Sequence, residues 1–221
     1  MRSAAGGARR LGRMQAVTVP DSPAGFWNQR YEAVQALWSR QPNAFLVELA
    51  DTLPRGRALD LGAGEGRNAI WLAQRGWRVT ALDISGVALA RAAERAAREG
   101  VELDCVEADW REYRPAPSSF DLTVISFMHP QPDERASMFA SAGEALVPGG
   151  HLFVVGVGLI DHGRRGPPDP QRLHTVPRLR GALGGFDLLR CEAVAYEVER
   201  EQGRQRVHDV VAIAQRPRSN H

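Results

Sequence analysis

The chain contains no lysine, and all 28 of its basic residues are arginine. They are nearly balanced by 26 acidic residues, which leaves a formal charge of only +2. Because the arginines are spread along the chain and interleaved with acids, the sequence lacks the concentrated basic surface typical of nucleic-acid-binding proteins. We interpret the missing lysine as a compositional bias and expect no nucleic-acid partner.

Long apolar runs are missing as well. No stretch approaches the ~18 residues that a membrane span needs, and no apolar centre near the N-terminus marks a signal peptide. Cysteine is scarce: Cys105 and Cys191 lie far apart in apolar, strand-like contexts, which argues against a disulfide framework or a metal site. We therefore expect a cytoplasmic protein with no membrane partner and no bound metal.

Residues 1–20 are small and basic without hydrophobic periodicity, which predicts a disordered N-terminal tail. An arginine-rich transit peptide is the weaker alternative, and Met14 is an alternative start. The remaining residues, 21–221, fit one α/β domain, and a hydrophobic content of 43% supports a sizeable core.

The most informative stretch lies near residue 60. A short apolar run, 58–61, predicts a buried strand, glycines at positions 62, 64 and 66 predict a tight turn, and a helical pattern begins at Asn68. Strand, glycine turn and helix together direct backbone N–H groups of a helix N-terminus at a ligand. Glycine is needed there because only a residue without Cβ lets the backbone approach a ligand closely.

A second strand, 77–82, ends at Asp83, which lies 21 positions after Gly62. This is close to the ~20 residues expected for a carboxylate that accepts hydrogen bonds from ribose hydroxyl groups. The alternative is that Asp83 only caps the following helix. The spacing indicates a nucleoside-containing cofactor.

Two features separate the candidate cofactors. The dinucleotide fingerprint G-x-G-x-x-G requires a third glycine where this chain has Arg67, and an acid, Asp60, precedes the first glycine by two residues. A negative charge suits a cationic ligand better than a pyrophosphate. A nicotinamide-dependent Rossmann oxidoreductase is therefore the disfavoured alternative.

The run D-x-G-x-G-x-G, followed by an acid at the end of the next strand, resembles the class I S-adenosylmethionine-dependent methyltransferases from Asp60 through Gly150. The resemblance implies a Rossmann-like α/β fold: a seven-stranded, mostly parallel sheet with helices on both faces and an antiparallel last strand. It also implies methyl transfer from S-adenosyl-L-methionine, with S-adenosyl-L-homocysteine as the product. A regulator that binds an adenosine ligand without catalysis is a further alternative, since fold alone does not establish activity.

The same resemblance implies a set of cofactor-binding residues. They are Asp60, Gly62, Ala63, Gly64, Gly66, Arg67, Asn68, Asp83, Ile84, Asp109, Trp110 and Ser126. Residues 26–31 resemble the N-terminal helix of the small-molecule branch, near tellurite-resistance and thiopurine methyltransferases, and would bring Trp27 and Tyr31 over the cofactor. The expected layout is a helical lid at 21–54, a cofactor-binding core at 55–158, and an acceptor-side loop with the final strands at 159–221.

Asp109 and Trp110 follow the predicted third strand, 101–106. An acid there can accept a hydrogen bond from the adenine amino group, and an indole can stack on the purine. The alternative is that the pair only caps or packs. The remaining predicted strands are 120–128, 151–157, 186–194 and 207–214, with helices at 42–52, 87–99, 133–146 and 173–183.

His129 directly follows the almost continuously apolar strand 120–128, where ligands of open α/β sheets bind. Its imidazole is the candidate general base, unless it only caps the next helix or packs. No Asn/Asp-Pro-Pro-aromatic tetrapeptide follows that strand, which also disfavours nucleic-acid methylation. We expect a small-molecule acceptor with an S, O or N nucleophile, or a metalloid, and a monomer or homodimer.

Overall fold

The computed structural model describes residues 22–34, 39–200 and 203–218, so the predicted tail at 1–20 lies outside the described residues. The helices are α1 (Pro23–Glu32), α2 (Ala44–Thr52), α3 (Arg67–Gln74), α4 (Gly86–Arg98), α5 (Arg135–Ala145) and α6 (Val176–Ala182), with a 3-10 helix at Leu159–Asp161. The strands are β1 (Arg57–Leu61), β2 (Arg78–Asp83), β3 (Asp104–Glu107), β4 (Phe120–Ser126), β5 (Leu146–Val157), β6 (Asp187–Arg200) and β7 (Gly203–Gln215). No described helix is both long and apolar enough to cross a membrane.

The seven strands form one sheet in the order β3-β2-β1-β4-β5-β7-β6. The first five pair in parallel, while β7 runs antiparallel to both β5 and β6. The predicted fold class is therefore confirmed, including the antiparallel last strand. The order in which the chain adds strands reverses at β1: β2 and β3 lie on one side of it, and β4 and β5 lie on the other. Ligands of open α/β sheets bind at such a switch point.

Two hydrophobic cores cover the sheet. The core on one side of the sheet, here called the α2/α3 face, contains Leu46, Leu72 and Phe153. The core on the other side, here called the α5/α6 face, contains Phe139 and Leu179. Side chains of β5 alternate between the two, as strand geometry requires. A polar group can therefore be assigned to one face from its position along a strand.

Several predicted boundaries needed correction. Strand β4 ends at Ser126 and not at 128, because Phe127 adopts a left-handed backbone with φ of 57°. Strand β5 begins at Leu146 and not at 151, because Phe120 pairs with Leu146 before the register shifts. The β6–β7 hairpin extends far beyond the predicted strands, since its pairing continues to Arg200 and Gly203.

Candidate active site

The glycine turn after β1 adopts a conformation that side chains disfavour. Gly62, Gly64 and Gly66 have φ of 73°, 55° and 73°. The N–H groups of Gly62 and Ala63 donate to the Leu82 carbonyl at the end of β2, at 2.8 and 2.9 Å. A Cβ on Gly62 would also lie 2.6 Å from the Met128 sulfur. The turn therefore holds the ends of β1, β2 and β4 close together.

Asp83 is buried at the end of β2 and is tied to this turn. One carboxylate oxygen accepts from the Gly64 N–H at 2.7 Å, and the other accepts from the Ser85 N–H at 2.9 Å. Burial raises the pKa of Asp83, while these backbone hydrogen bonds oppose the rise. Each oxygen keeps further lone-pair capacity, so the carboxylate is oriented to accept from hydroxyl groups. Ile84 follows it, partly exposed.

Asp60 is only 1% exposed, and neither of its carboxyl oxygens has a hydrogen-bond partner among the described residues. Burial raises the pKa of Asp60 to about 7, against the opposing charge of Arg67. A buried carboxyl group without partners is unfavourable unless a ligand satisfies it. The site therefore provides a buried acceptor for a cationic donor.

Arg67, the first residue of α3, lies beside Asp60. Its guanidinium stands over the Phe127 ring, 5.2 Å from the centroid, and donates no hydrogen bond within the described ranges. Burial lowers the pKa of Arg67, while Asp60, and then Tyr196 and Asp209, act in the opposite direction. The site thus places a buried carboxyl group without a hydrogen-bond partner beside a partly exposed guanidinium cation.

Asn68 and Ser126, both predicted to bind cofactor, are bound to each other. The Asn68 amide donates to the Ser126 hydroxyl at 3.0 Å, and its oxygen accepts from the Asn43 N–H at 3.0 Å. Asn68 is 2% exposed. The side chain therefore joins the start of α2 to the end of β4 behind the glycine turn. Asn43 gave no signal in the sequence beyond its position before a helix.

Asp109 and Trp110 have partners within the protein. The Arg111 guanidinium donates to Asp109 at 2.9 Å, and this hydrogen bond lowers the pKa of Asp109. Trp110 packs, partly buried, against the core of the α5/α6 face. Both residues lie beyond β3, on the side of the site where Asp83 ends β2. Their contact with adenine stays a prediction.

Helix α1 lies against this region through a residue that the sequence analysis missed. Asn28 Oδ1 accepts a hydrogen bond of 2.6 Å from the hydroxyl of Ser85, two residues after Asp83. Tyr31 is 4% exposed, and its ring centroid lies 6.2 Å from that of Trp27. The two predicted aromatic residues thus share one side of a helix that is linked to the β2–α4 turn.

The ring nitrogens of His129 contact backbone groups. The Val157 N–H donates to Nε2 at 3.4 Å, which assigns the proton to Nδ1, 3.3 Å from the Arg172 carbonyl oxygen. Burial lowers the pKa of His129 to about 4. The ring lies 4.9 Å from that of His174, centroid to centroid. This conformation leaves no free nitrogen for a substrate proton.

A network of five residues, here called the acceptor-side network, lies beyond β5 on the α2/α3 face. It consists of Asp161, Arg165, Tyr196, His208 and Asp209. Arg165 donates to Asp161 and Asp209 at 3.0 Å each, and the Tyr196 hydroxyl donates to Asp209 at 2.6 Å. The backbone N–H of His208 donates to one Asp161 carboxylate oxygen at 2.9 Å, and its ring Nδ1 lies 3.0 Å from the other.

Both acids of this network are buried, with Asp161 1% and Asp209 0% exposed. Burial alone would raise the pKa of Asp161, but hydrogen bonds from His208 and Arg165 bring it below its ordinary value. Burial raises the pKa of Tyr196 far above its ordinary value, and Asp209 adds to the effect. The sequence analysis identified none of these residues as functional.

Comparisons with known proteins agree with this geometry. Residues 58–150 match the family of methyltransferase domains. Thiocyanate methyltransferase 1 of Brassica oleracea is 28% identical over 190 residues, which span 83% of this chain and 83% of that protein. A SAM-dependent methyltransferase from Methanosarcina mazei has the same fold with a TM-score of 0.64 at 22% identity, over 81% of this chain and 100% of that one. TehB from Haemophilus influenzae gives a TM-score of 0.66 at 19% identity, over 84% of this chain and 65% of that one.

Proposed function

We propose that this chain, a class I S-adenosylmethionine-dependent methyltransferase of the small-molecule branch, methylates a small sulfur anion that is already ionised at neutral pH. The family match and the methyltransferase relative set aside the two alternatives, a nicotinamide-dependent oxidoreductase and a regulator without catalysis. The arrangement of charges at the site supports the acceptor class.

The buried groups fit the cofactor that this family uses. Its amino-acid part carries an ammonium and a carboxylate, which match the unpartnered Asp60 and the adjacent Arg67. Its ribose offers hydroxyl groups to Asp83, whose carboxylate is held by two backbone N–H groups. The ring of Phe127 holds the Arg67 guanidinium over its face, which positions that cation at the site.

The observation that carries the proposal is that both His129 ring nitrogens are bonded to backbone groups, with a pKa of about 4. The hydroxyl of Tyr196, which lies near Arg67, donates to Asp209 and has a strongly raised pKa. Neither group is ready to remove a proton from a neutral acceptor. A nucleophile that arrives as an anion needs no such group.

When bound, the cofactor supplies a sulfonium methyl group and its own leaving group, so the protein mainly has to position the acceptor. Good positioning of the two reactants can lower the activation barrier by ~7–11 kcal/mol. Helix α1, linked to Ser85 through Asn28, excludes water from the site.

The relative from Brassica oleracea is named for methylating thiocyanate. Thiocyanate and small thiolates are sulfur nucleophiles that carry their charge without help from a base. We therefore place the acceptor of this chain in the class of thiocyanate and small thiolates, ahead of phenols and amines.

The test is a panel of acceptors assayed by formation of S-adenosylhomocysteine. Thiocyanate, hydrosulfide and a small thiol should be methylated faster than catechol or a primary amine. With thiocyanate, kcat/KM should be independent of pH between about 6 and 9, because no group on either reactant has to titrate. His129→Gln should leave that turnover close to the wild-type value.

The opposite result would identify a general base and a protonated acceptor. If catechol is the best acceptor, and His129→Gln lowers its turnover by ~10²–10⁴ and removes the acid limb of the pH profile, His129 is a general base. The acceptor would then be a protonated hydroxyl, and the sulfur-anion proposal would fail while the methyltransferase activity stood.

We propose that 21–54 act as a lid, 55–158 as the cofactor core and 159–221 as the acceptor side. Two free cysteines, Cys105 and Cys191, support a reducing cytoplasmic location. We also propose a monomer or homodimer without a nucleic-acid partner, which size-exclusion chromatography with light scattering and a DNA-binding assay test directly.

A further inference from the structure

A group of cationic and histidine side chains lies on the α5/α6 face and includes His129 of the site described above. It consists of His129, Arg135, Arg172, His174 and Arg178, and is here called the arginine–histidine cluster. A Cβ on Gly156 would meet both histidines, and Gly156 alternates with Val155, which packs on the α2/α3 face. The two histidines therefore lie on the opposite face of the sheet from the α2/α3 core, with Arg165 of the acceptor-side network near enough to lower the pKa of His129.

The three arginines have no acidic partner within the described ranges, since none of the ion pairs there involves them. Arg172 donates to the His129 carbonyl at 2.8 and 2.6 Å, whereas the other two donate to carbonyl groups of the segment that leads into α6. Arg135 bonds the Gln171 carbonyl at 2.8 Å, and Arg178 bonds those of Pro170 and Leu173 at 2.8 and 3.0 Å. Carbonyl oxygens carry only partial negative charge, so the positive charge of the cluster is not neutralised.

Two members of the cluster are buried with unsatisfied nitrogens. Arg135 is 7% exposed, and its Nε has no hydrogen-bond partner among the described residues. His174 is 1% exposed, and neither ring nitrogen has one. Buried polar groups without partners are unfavourable, and buried charges are normally paired. A ligand with several acceptor oxygens would satisfy both.

Helix α5 adds to the positive potential. It begins at Arg135, extends over 11 residues, and receives no side-chain cap at its N-terminus. The first N–H groups of such a helix attract anions. The nearest acid, Glu134, is directed elsewhere, since its two oxygens accept from Gln131 and Arg111.

We propose that the arginine–histidine cluster binds a small tetrahedral oxyanion, of the sulfate or phosphate kind, between the start of α5 and the segment leading into α6. The anion would receive donors from Arg135, Arg178 and His174. It would hold that segment, and with it the loop after β5, in one position. This site shares His129 with the candidate active site but includes none of the residues assigned to the cofactor, Asp60, Arg67 and Asp83.

Binding should depend on pH. The charged side chains that face His129 are Arg172, Arg135 and Arg165. Those that face His174 are Arg135 and Arg178, beside the ring of His129. Burial is the main cause that lowers the pKa of both histidines, and the neighbouring groups add to it. An anion among them would favour the charged imidazole, so protons and anion should bind together. Sulfate is the preferred probe, since its charge is constant between pH 5.5 and 8.

The experiment is calorimetric titration of the full chain with sodium sulfate against sodium chloride at equal ionic strength. The wild type should bind one sulfate, more tightly at pH 5.5 than at pH 8. Arg135→Gln should weaken binding by about tenfold or more, as expected for loss of a charged donor. Arg180→Gln, an exposed change of equal charge on α6, should bind like the wild type.

Arg178→Gln serves as a second test should Arg135→Gln fail to fold, with circular dichroism as the check. Titration with S-adenosylhomocysteine should give wild-type affinity in both variants, which separates this site from the cofactor site. The proposal is overturned if the wild type shows no saturable sulfate binding beyond chloride. It is equally overturned if Arg135→Gln and Arg178→Gln both retain wild-type sulfate affinity.

Discussion

The cofactor side and the acceptor side of the sheet edge position their polar groups by different means. On the cofactor side, Asp60, Arg67 and Asp83 lie within one strand-turn-helix-strand unit, and Asp83 is oriented by the backbone N–H groups of Gly64 and Ser85. On the acceptor side, the buried charges come from the 3-10 helix, the segment after it and β7, and they hold one another. Local backbone geometry fixes the first region, and long-range ion pairing fixes the second.

This contrast implies that single substitutions act differently in the two regions. A change on the cofactor side should remove a ligand contact and leave the fold intact. A change in the acceptor-side network should leave an uncompensated buried charge and destabilise the protein.

Asp83→Ala should weaken binding of S-adenosylhomocysteine by ~10²–10⁴, because two hydrogen bonds to a charged group are lost at ~1.5–3 kcal/mol each. Isothermal titration calorimetry measures this directly. Asp83→Asn, which keeps one acceptor for the backbone, should lose less. Asp104→Ala, an exposed acid on β3, is the matched control and should bind normally. Wild-type affinity in Asp83→Ala would remove the assignment of Asp83 to the ribose.

Asp209→Ala should lower the free energy of unfolding by ~3–5 kcal/mol, the usual result of breaking a buried ion pair from one side. Arg165 would lose one carboxylate, and the Tyr196 hydroxyl would lose its acceptor. Urea denaturation followed by circular dichroism gives the value. Asp187→Ala, an exposed acid on β6, should change stability little. An equally small effect at Asp209 would contradict the contrast between the two regions.

The same contrast explains what the sequence analysis predicted. The glycine turn and Asp83 were predictable because strand, turn and acid follow one another at fixed spacings that backbone geometry dictates. Tyr196 and Asp209 were not, because they meet Arg165 across separations of up to 44 residues. No periodicity or motif in the sequence predicts contacts between residues so far apart along the chain.

Phe127 shows a second limit of sequence reasoning. A bulky residue with φ of 57° is rare, so an apolar run through it was interpreted as continuous strand. Its N–H instead donates to the Val155 carbonyl at 2.7 Å, and its ring turns to Arg67. Strained backbone of this kind concentrates at functional sites, where tertiary contacts override local preference.

Acid should destabilise the protein through the histidines of the α5/α6 face. The pKa of His129 is lowered to about 4 and that of His174 to about 3, so both are neutral when folded and take up protons on unfolding. Their contribution is fully present above the unfolded pKa of ~6.5 and is lost as pH falls towards the folded values. By pH 5 the loss should be on the order of 1–2 kcal/mol per histidine.

Denaturation curves between pH 8 and pH 5 in chloride buffer test this dependence. His174→Asn should flatten the curve, whereas His162→Asn, in an exposed position, should not. A wild-type stability that is constant over this range would show that the buried histidines titrate normally. Added sulfate should reduce the acid loss if the oxyanion site exists, which links this measurement to the arginine–histidine cluster.

The smallest effect concerns the contact between α1 and the cofactor side. Asn28→Ala removes the acceptor of the Ser85 hydroxyl and should weaken S-adenosylhomocysteine binding several-fold, since one neutral hydrogen bond contributes ~0.5–1.5 kcal/mol. Gln29→Ala, an exposed neighbour on the same helix, is the control. Stability should change little, because α1 contributes Tyr31 but no other buried side chain.

A double-mutant cycle with Ser85→Ala isolates the contact. Ser85 also caps α4 through the Ala88 N–H at 3.2 Å, so its single substitution combines two losses. The coupling energy in cofactor binding should nevertheless be ~0.5–1.5 kcal/mol, because only the Asn28 contact is shared by both changes. Full additivity would mean that α1 is fixed by its other contacts and serves as scaffold. A clear coupling would mean that the cofactor side, like the acceptor side, also depends on one long-range contact.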